Sequence, residues 1–474
     1  MIRSKDYWLR RCQRLESVWA AITFDSTLET EGVAFDGGNR KISFIYQNRL
    51  EESMLRLLKL LTGGASFFLL VAATTAQGFD VEGSTRAYLS STSADAIANT
   101  DGYVNTGYVV MLLDTVAAVL IAWLFLSRGW SRRWRELAEA KLKSPFARAF
   151  IYIPIYALVS SVLLFPLTWF SDFYTEHKYG LATQSFSAWF GDFLIEGGVT
   201  TLLFALFVGL LYLVIRRTQD NWWAWGSGLS VGFMLFALFI SPVFIDPLFN
   251  EYRPMDEGPL KERILSIARA NGMEVDDVKQ VDASRQTNRV SANVSGLFGT
   301  ARIALNDNLL NRADVDSVEA VMAHEIGHYV LNHPIKMMLA LLPILLALFL
   351  LSHVIFRALL RRKGEDWGVR GIDDYAGFPL LVAILTVVGS LATPVFYRVV
   401  YVQEYEADLF AINATQNPDA WAEVALLTAE YRKLEPSEFE ENWFNHHPSP
   451  YMRIYMAMRW KAEHLPGEAP DEVE

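Results

Sequence analysis

The sequence has 474 residues and a single cysteine, Cys12. One thiol excludes a disulfide framework and a cysteine-ligated metal site, so any bound metal must be held by histidine and carboxylate side chains. The chain also lacks a basic block, and its formal net charge of −11 argues against nucleic acid as a partner. We therefore look for function in its histidines and acids.

Apolar residues are abundant. They make up 52% of the chain, aromatic residues make up 13%, and the mean hydropathy is +0.19, which together indicate a membrane protein. No cleavable signal peptide is expected, because Glu16, Asp25 and Glu29 interrupt the early apolar stretch. Seven apolar runs are long enough to be predicted as transmembrane helices: 60–76, 108–126, 150–170, 193–215, 225–245, 337–356 and 378–402.

These runs divide the chain into segments. We expect a polar amino-terminal segment at 1–53, five transmembrane helices within 54–245, two more within 337–402, and an acidic tail at 463–474. Two long polar stretches remain, 246–336 and 403–462. A soluble domain would have to be assembled from both of them, with a helical hairpin inserted between.

A His-Glu-x-x-His motif lies near the end of the first polar stretch. In a helix, His324 and His328 share one face and can place two imidazole nitrogens on one zinc ion. Glu325 lies beside them, where it can take a proton from an attacking water. The flanks favour a helix, with a capping box predicted at 316–319 and Pro334 beyond its end.

A catalytic zinc ion needs a third protein ligand, and the helical stretch after the seventh run supplies candidates. Glu404 and Asp408 are one turn apart on a common face, whereas Glu406 points elsewhere. Glu404 can complete the ligand set. Asp408 can either hydrogen-bond a ligand histidine or serve as a proton donor, and both carboxylates can equally be read as two acids on a solvated helix face.

Two further stretches bear on substrate binding. His447 and Arg453 lie around a proline-restrained turn and can bind an oxyanion or a peptide carbonyl, or they can be ordinary loop residues. Ahead of the histidine motif, a hairpin is predicted from 289–294 and 302–305, after a helix at 259–271 and a strand at 278–281. Its edge can pair with an extended peptide, or the hairpin can be purely structural.

Together these segments resemble the type I CAAX prenyl protease family, membrane-embedded gluzincin endopeptidases, over roughly residues 150–460. The order and spacing of several motifs carry the resemblance: 176–180, 246–250, 259–261, 302–310, the histidine motif, 404–408, His447 and Arg453.

The resemblance implies one zinc ion per chain on His324, His328 and Glu404, with Glu325 as catalytic base and Asp408 as a second active-site carboxylate. It also implies that His447 and Arg453 lie near the substrate. The implied fold is mainly α, with seven transmembrane helices that enclose an intramembrane chamber and a small α+β zinc metalloprotease domain that caps it.

The sequence departs from the family in the strand expected to bind substrate. Ser291-Ala292, followed by Asn293, stands where the family has an Asn-Ala pair, and Tyr401-Val402 replaces a basic pair ahead of the third ligand. Both departures concern the choice of substrate and leave the expected metal site intact.

We therefore predict a membrane-integral zinc metalloendopeptidase that acts on peptides, membrane-associated proteins or misfolded membrane proteins in contact with the lipid bilayer. The bacterial inner membrane is the expected location, with the endoplasmic reticulum as the alternative. A competing hypothesis is a seven-helix binding or transport protein with a structural zinc, which would give Asp114 and Glu196 a cavity-facing role. A structural site has four protein ligands, however, and does not need Glu325.

Overall fold

The computed structural model describes residues 79–295 and 302–465. The polar segment 1–53, the apolar run 60–76 and most of the acidic tail lie outside the described residues. The helices are α1 Val81–Ser90, α2 Ala94–Ser127, α3 Trp130–Lys141, α4 Ala149–Thr168, α5 Phe186–Thr218, α6 Trp222–Ile240, α7 Pro259–Ala270, α8 Asp307–Arg312, α9 Val315–Val330, α10 His333–Trp367, α11 Phe378–Thr415, α12 Pro418–Leu427, α13 Glu438–Trp443 and α14 Pro450–His464. The strands are β1 Tyr252–Pro254, β2 Val278–Val281, β3 Ala292–Ser295 and β4 Arg302–Asn306.

The described residues are mainly helical and contain five stretches long and apolar enough to cross a membrane. The third stretch, Phe186–Leu248, contains both α5 and α6. Six of the seven predicted runs therefore lie on long apolar helices. Large apolar side chains on these helices are exposed, among them Leu158, Leu202 and Leu391, as expected for surfaces that face lipid.

Several helices extend beyond the predicted runs. Helix α2 begins at Ala94, where Ser93 caps its amino terminus, so the polar stretch before residue 108 is helical instead of a loop. Helix α10 begins at His333 and continues to Trp367. Composition marks the part of a helix that prefers lipid, but hydrogen bonding and capping decide where the helix ends.

A four-stranded sheet of order β1-β2-β4-β3 stands beside α9. Strand β4 pairs parallel to β2 and antiparallel to β3, so the predicted strands are present and β3 forms one edge. Strand β1, which the sequence did not predict, pairs with β2 at the opposite edge. The predicted turn of the hairpin, around Gly296 and Gly299, lies outside the described residues.

Helix α9 carries the histidine motif and is packed on two sides. Val318, Met322 and Ile326 join the core beneath the sheet and α7, whereas Ala320 and Ala323 join the core formed with α12 and α14. The predicted capping box at 316–319 is wrong by two residues. Asp314 is the N-cap, and its side chain accepts a hydrogen bond from the Ser317 N–H at 2.6 Å.

Helix α11 runs without interruption from the apolar run into the stretch that contains Glu404 and Asp408. It can approach α9 closely because Gly327 has no side chain: a Cβ there would lie 3.0 Å from a ring carbon of Phe410. This close contact brings Glu404 toward the two histidines.

Candidate active site

Three side chains converge between α9 and α11. The Nε2 atoms of His324 and His328 are 3.0 Å apart, and the Glu404 oxygens lie 3.3 Å from the first and 3.5 Å from the second. Ligands held by tetrahedral zinc at 2.0–2.1 Å are separated by about 3.3 Å, so the three atoms have the spacing that the metal needs. Within the described ranges, these three residues form the one His/Cys/Asp/Glu group with metal-ligand spacing.

Asp408 fixes the orientation of His324. Its fully buried carboxylate lies 2.9 Å from His324 Nδ1 and 3.0 Å from Arg453 Nε, and Trp421 stacks on the imidazole with ring centroids 5.3 Å apart. A carboxylate on the far nitrogen of a ligand histidine sets the tautomer and aims the near nitrogen at the metal. Of the two roles that the sequence left open for Asp408, this geometry favours orientation.

A second chain of contacts holds His328. Its Nδ1 lies 2.9 Å from His333 Nδ1, and His333 Nε2 lies 3.1 Å from a Glu406 oxygen that also accepts from Lys336 Nζ at 2.9 Å. The sequence alone assigned no role to His333 or to Glu406. The position of His333 shortly after the motif was the available signal, but its contact with Glu406 depends on the packing of α10 against α11.

The two histidines differ in charge when no metal is bound. Burial lowers the pKa of His324, but Asp408 and Glu404 outweigh it and raise the pKa to about 9. Burial and the neighbouring charge of His324 lower the pKa of His328 to about 3. His324 is therefore protonated at neutral pH, and a metal ion bound by His324 must displace that proton.

Glu325 projects between α9 and the edge strand β3. Burial raises the pKa of Glu325 to about 7, whereas nearby His324 and a hydrogen bond from the Val294 N–H oppose the rise. A carboxylate with such a pKa can both take and return a proton near neutral pH. Glu325 thus lies beside the three candidate metal-binding side chains and against the strand expected to hold substrate.

His447 and Arg453 also reach the site. His447 Nε2 lies 3.1 Å, and Arg453 Nη2 3.5 Å, from the Glu404 oxygen. Burial and the charge of nearby Arg432 lower the pKa of His447 well below its ordinary value, so its imidazole is neutral at pH 7. A neutral ring can still donate an N–H to an oxyanion.

Strand β3 presents alternate residues at the free edge of the sheet. The Asn306 N–H donates to the Ser291 carbonyl at 2.9 Å, and the register pairs Asn293 with Ala304. In an antiparallel pair the residues between such bonded positions point their backbone groups outward, which here are Ala292 and Val294. Asn293, one of three predicted substrate-binding residues, turns its backbone toward β4.

Two protein-family models match most of the chain. A model described as Peptidase family M48 matches residues 254–461, and one described as CAAX prenyl protease N-terminal, five membrane helices, matches residues 90–251. The first range contains the candidate metal-binding group, and the second contains the first four long apolar helices of the described residues.

Similar proteins and a similar solved structure support the same family. An uncharacterised metalloprotease of Bacillus subtilis is 28% identical over 363 residues, which cover 76% of this chain and 85% of that protein. CAAX prenyl protease 1 of Saccharomyces cerevisiae is 31% identical over 202 residues, 41% of this chain and 44% of that protein, so the match spans under half the yeast enzyme. The crystal structure of S. mikatae Ste24p has a TM-score of 0.65 at 21% identity, covering 78% of this chain and 89% of that one, which shows a common fold.

Proposed function

The chain belongs to peptidase family M48 and is a membrane metalloprotease of the CAAX prenyl protease family, and from this premise we propose that His324, His328 and Glu404 bind one catalytic zinc ion. The observation that carries the proposal is the convergence of two imidazole nitrogens and one carboxylate at 3.0–3.5 Å, with Glu325 adjacent.

The remaining side chains have distinct roles in peptide hydrolysis. Zinc, when bound, supplies a Lewis acid that polarises the scissile carbonyl. Glu325 takes a proton from the attacking water and returns it to the leaving amine. His447, whose Nε2 lies 3.1 Å from a Glu404 oxygen, donates its N–H to the developing oxyanion. Asp408 and Arg453 position His324 and Glu404 and need not exchange protons.

An extended substrate binds along β3 by backbone pairing. The outward backbone groups of Ala292 and the carbonyl of Val294 are at the free edge, whereas the Val294 N–H donates to Glu325, so a peptide paired there lies beside the catalytic base. Backbone pairing recognises an extended conformation more than a sequence. Ser291 makes this edge less selective still, because its hydroxyl offers fewer hydrogen bonds than the family's amide.

We place the sheet domain as a cap over a polar intramembrane chamber formed by the long apolar helices of the described residues. Four carboxylates support such a chamber: Asp172, Asp192, Glu196 and Asp246 line a cavity of about 620 Å³ that reaches β1. Carboxylates at the ends of apolar helices favour a water-filled space. We propose membrane-associated or misfolded membrane proteins as substrates and, from the Bacillus relative, a bacterial inner membrane as location.

The competing binding or transport function is not favoured. Its zinc would need four protein ligands, and in the part of the chain described here the metal-binding group has three. The carboxylate Glu196 is accounted for by the cavity, and Asp114 is exposed on α2.

The test combines metal content with hydrolysis. Full-length Glu325→Gln protein should bind as much zinc as the wild type but cleave an unfolded fluorescent protein on the order of 10²–10⁴ times more slowly. Glu319→Gln is a matched control, because Glu319 lies on the same helix and pairs with Arg263 away from the site. Undiminished cleavage by Glu325→Gln at equal zinc content would refute the mechanism.

A further inference from the structure

The chain on both sides of His447 is held by one carboxylate. Glu441 lies on α13, and its Oε2 accepts a hydrogen bond from Asn445 Nδ2 at 2.8 Å, whereas its Oε1 accepts one from the Ser449 N–H at 3.1 Å. Ser449 also caps the amino terminus of α14, so the far end of this segment is fixed to a helix. The segment 445–449, which we call the histidine turn, therefore lies between two hydrogen bonds to a single side chain.

Tyr401 holds the same carboxylate from the membrane helix. The hydroxyl of Tyr401, which is buried, donates to Glu441 Oε1 at 2.8 Å, and the Arg398 guanidinium carbon lies 4.1 Å from the centre of the Tyr401 ring. Tyr401 precedes Glu404 on α11 by about one helical turn. Glu441 thus connects the helix that carries Glu404 with the turn that carries His447, whose Nε2 is 3.1 Å from Glu404.

The three hydrogen bonds require a carboxylate at position 441. Two donors, the Tyr401 hydroxyl and the Ser449 N–H, approach Oε1, and the Asn445 amide approaches Oε2. An ionised carboxyl group is acceptor-only, whereas an amide in its place would turn an N–H toward at least one of these donors. A glutamine of the same size would therefore release either the histidine turn or Tyr401.

The neighbouring acid Glu440 has a different role. It forms the capping box of α13 with Ser437 and an ion pair with Lys433, and these contacts fix the start of the helix without Glu441. In the described part of the chain no lysine or arginine lies within ion-pair distance of Glu441, so its contacts are the hydrogen bonds to Tyr401 and the histidine turn. The Glu441 carboxylate is thus not needed to build the helix that carries it.

We propose that Glu441 is a positioning residue that sets the place of His447 in the site, with Tyr401 fixing the Glu441 carboxylate. The inference rests on the proposed peptidase function, in which the His447 N–H binds the oxyanion. Because the oxyanion forms only on the way to the tetrahedral intermediate, a displaced His447 lowers kcat and leaves substrate binding nearly intact. A displacement on the order of 1 Å can lower the rate about a hundredfold.

This assignment gives a role to one departure from the family. Tyr401 is the first of the two residues that replace the family's basic pair. A phenol hydroxyl donates a single hydrogen bond and carries no charge, so it orients the Glu441 oxygen without placing a cation one turn from Glu404.

The experiment measures kcat and KM separately, on the zinc-loaded full-length protein in detergent micelles with one quenched fluorescent peptide. Glu441→Gln should lower kcat on the order of tenfold to a hundredfold and change KM less than about twofold. Tyr401→Phe should lower kcat less, because both bonds to the histidine turn remain. Glu438→Gln is the matched control, since Glu438 is exposed on the same helix, and it should keep the wild-type kcat.

A double-mutant cycle with His447→Ala separates positioning from a general loss of structure. If Glu441 acts through His447, Glu441→Gln should have little further effect on kcat once residue 447 is alanine. The same fold-loss in both backgrounds would overturn the inference, as would a wild-type kcat in Glu441→Gln. A loss of zinc from Glu441→Gln, measured by elemental analysis, that accounts for its loss of kcat would also overturn it.

A phosphinic peptide gives the comparison without turnover. Its tetrahedral phosphorus oxygen resembles the oxyanion, so its inhibition constant should rise in Glu441→Gln by about the factor by which kcat falls. An unchanged inhibition constant would contradict the positioning role. If Glu441→Gln fails to fold, the cycle is measured with Tyr401→Phe, and additivity with His447→Ala decides against the inference.

Failure of the inference and failure of the proposed function give different results. A slow His447→Ala beside a Glu441→Gln protein with wild-type kcat rejects the inference alone. Zinc-loaded wild type that cleaves neither the peptide nor an unfolded protein rejects the peptidase function itself.

Discussion

Replacing His333 by leucine should weaken zinc binding although His333 does not touch the metal. His333 is buried and bridges His328 to Glu406, with contacts of 2.9 Å and 3.1 Å. When His328 offers Nε2 to a metal, its Nδ1–H can donate to His333 Nδ1, and His333 Nε2–H can donate to Glu406. Leucine fills the space but accepts no hydrogen bond, so the Nδ1–H of His328 loses its partner.

The magnitude follows from that loss. Leaving a buried donor without a partner costs about 1–3 kcal/mol, and the loss of such an outer partner typically lowers metal affinity 10- to 100-fold. We expect the zinc dissociation constant of His333→Leu to rise within that range. Lys336→Met removes an ammonium group that contacts Glu406 and is one contact further from the metal. This variant should raise the zinc dissociation constant less than about tenfold.

Competition with a chromophoric chelator, at fixed pH and detergent, measures the dissociation constants. His353→Leu is the matched control, because His353 is a buried histidine of the same helix that contacts Trp222 far from the site. It should alter thermal stability and leave zinc affinity unchanged. A wild-type dissociation constant in His333→Leu, or an equal rise in His353→Leu, would contradict the reasoning.

Four further outcomes are expected. Glu404→Ala should lose bound zinc by elemental analysis, and full occupancy would exclude Glu404 as a ligand. Because His324 must lose a proton to bind metal, zinc affinity should rise about tenfold per pH unit below its pKa of about 9 and level off above it, as titration calorimetry can show. Val294→Pro should keep zinc but lower hydrolysis at least about tenfold, since it removes the N–H that donates to Glu325; unchanged rates would show that this hydrogen bond is not needed to position the base. Gly327→Ala should lower the free energy of unfolding by about 1–3 kcal/mol by pressing on Phe410, so an unaltered denaturation midpoint would show that the helices can separate freely.

Features carried by local spacing were predictable. His324 and His328 share a face because a helix repeats every 3.6 residues, and the same periodicity separates Glu404 from Glu406. The strands that the sequence predicted also have a local pattern, and the structure contains them. Such features can be predicted without knowing the tertiary contacts.

Features that depend on contacts between distant segments were missed. The role of Glu406 requires the start of α10 to meet α11. The helix cap was misplaced for a different reason. Both Asp314 and Asp316 are residues that can cap a helix, so the sequence does not choose between them, and the structure has Asp314 as the N-cap.

The residues of the candidate metal site lie on two kinds of element, and the continuous helix α11 belongs to the membrane-spanning kind. Glu404 and Glu406 lie on this helix, and His333 is the first residue of α10, which packs against it. All three residues therefore move with the helical hairpin that crosses the bilayer. His324 and His328 belong instead to the helix anchored beneath the sheet. Lipids that are too short or too long tilt spanning helices. Bilayer thickness therefore acts on Glu404 more directly than on His324 and His328, so the thickness of the surrounding lipid should influence the geometry of the proposed metal site.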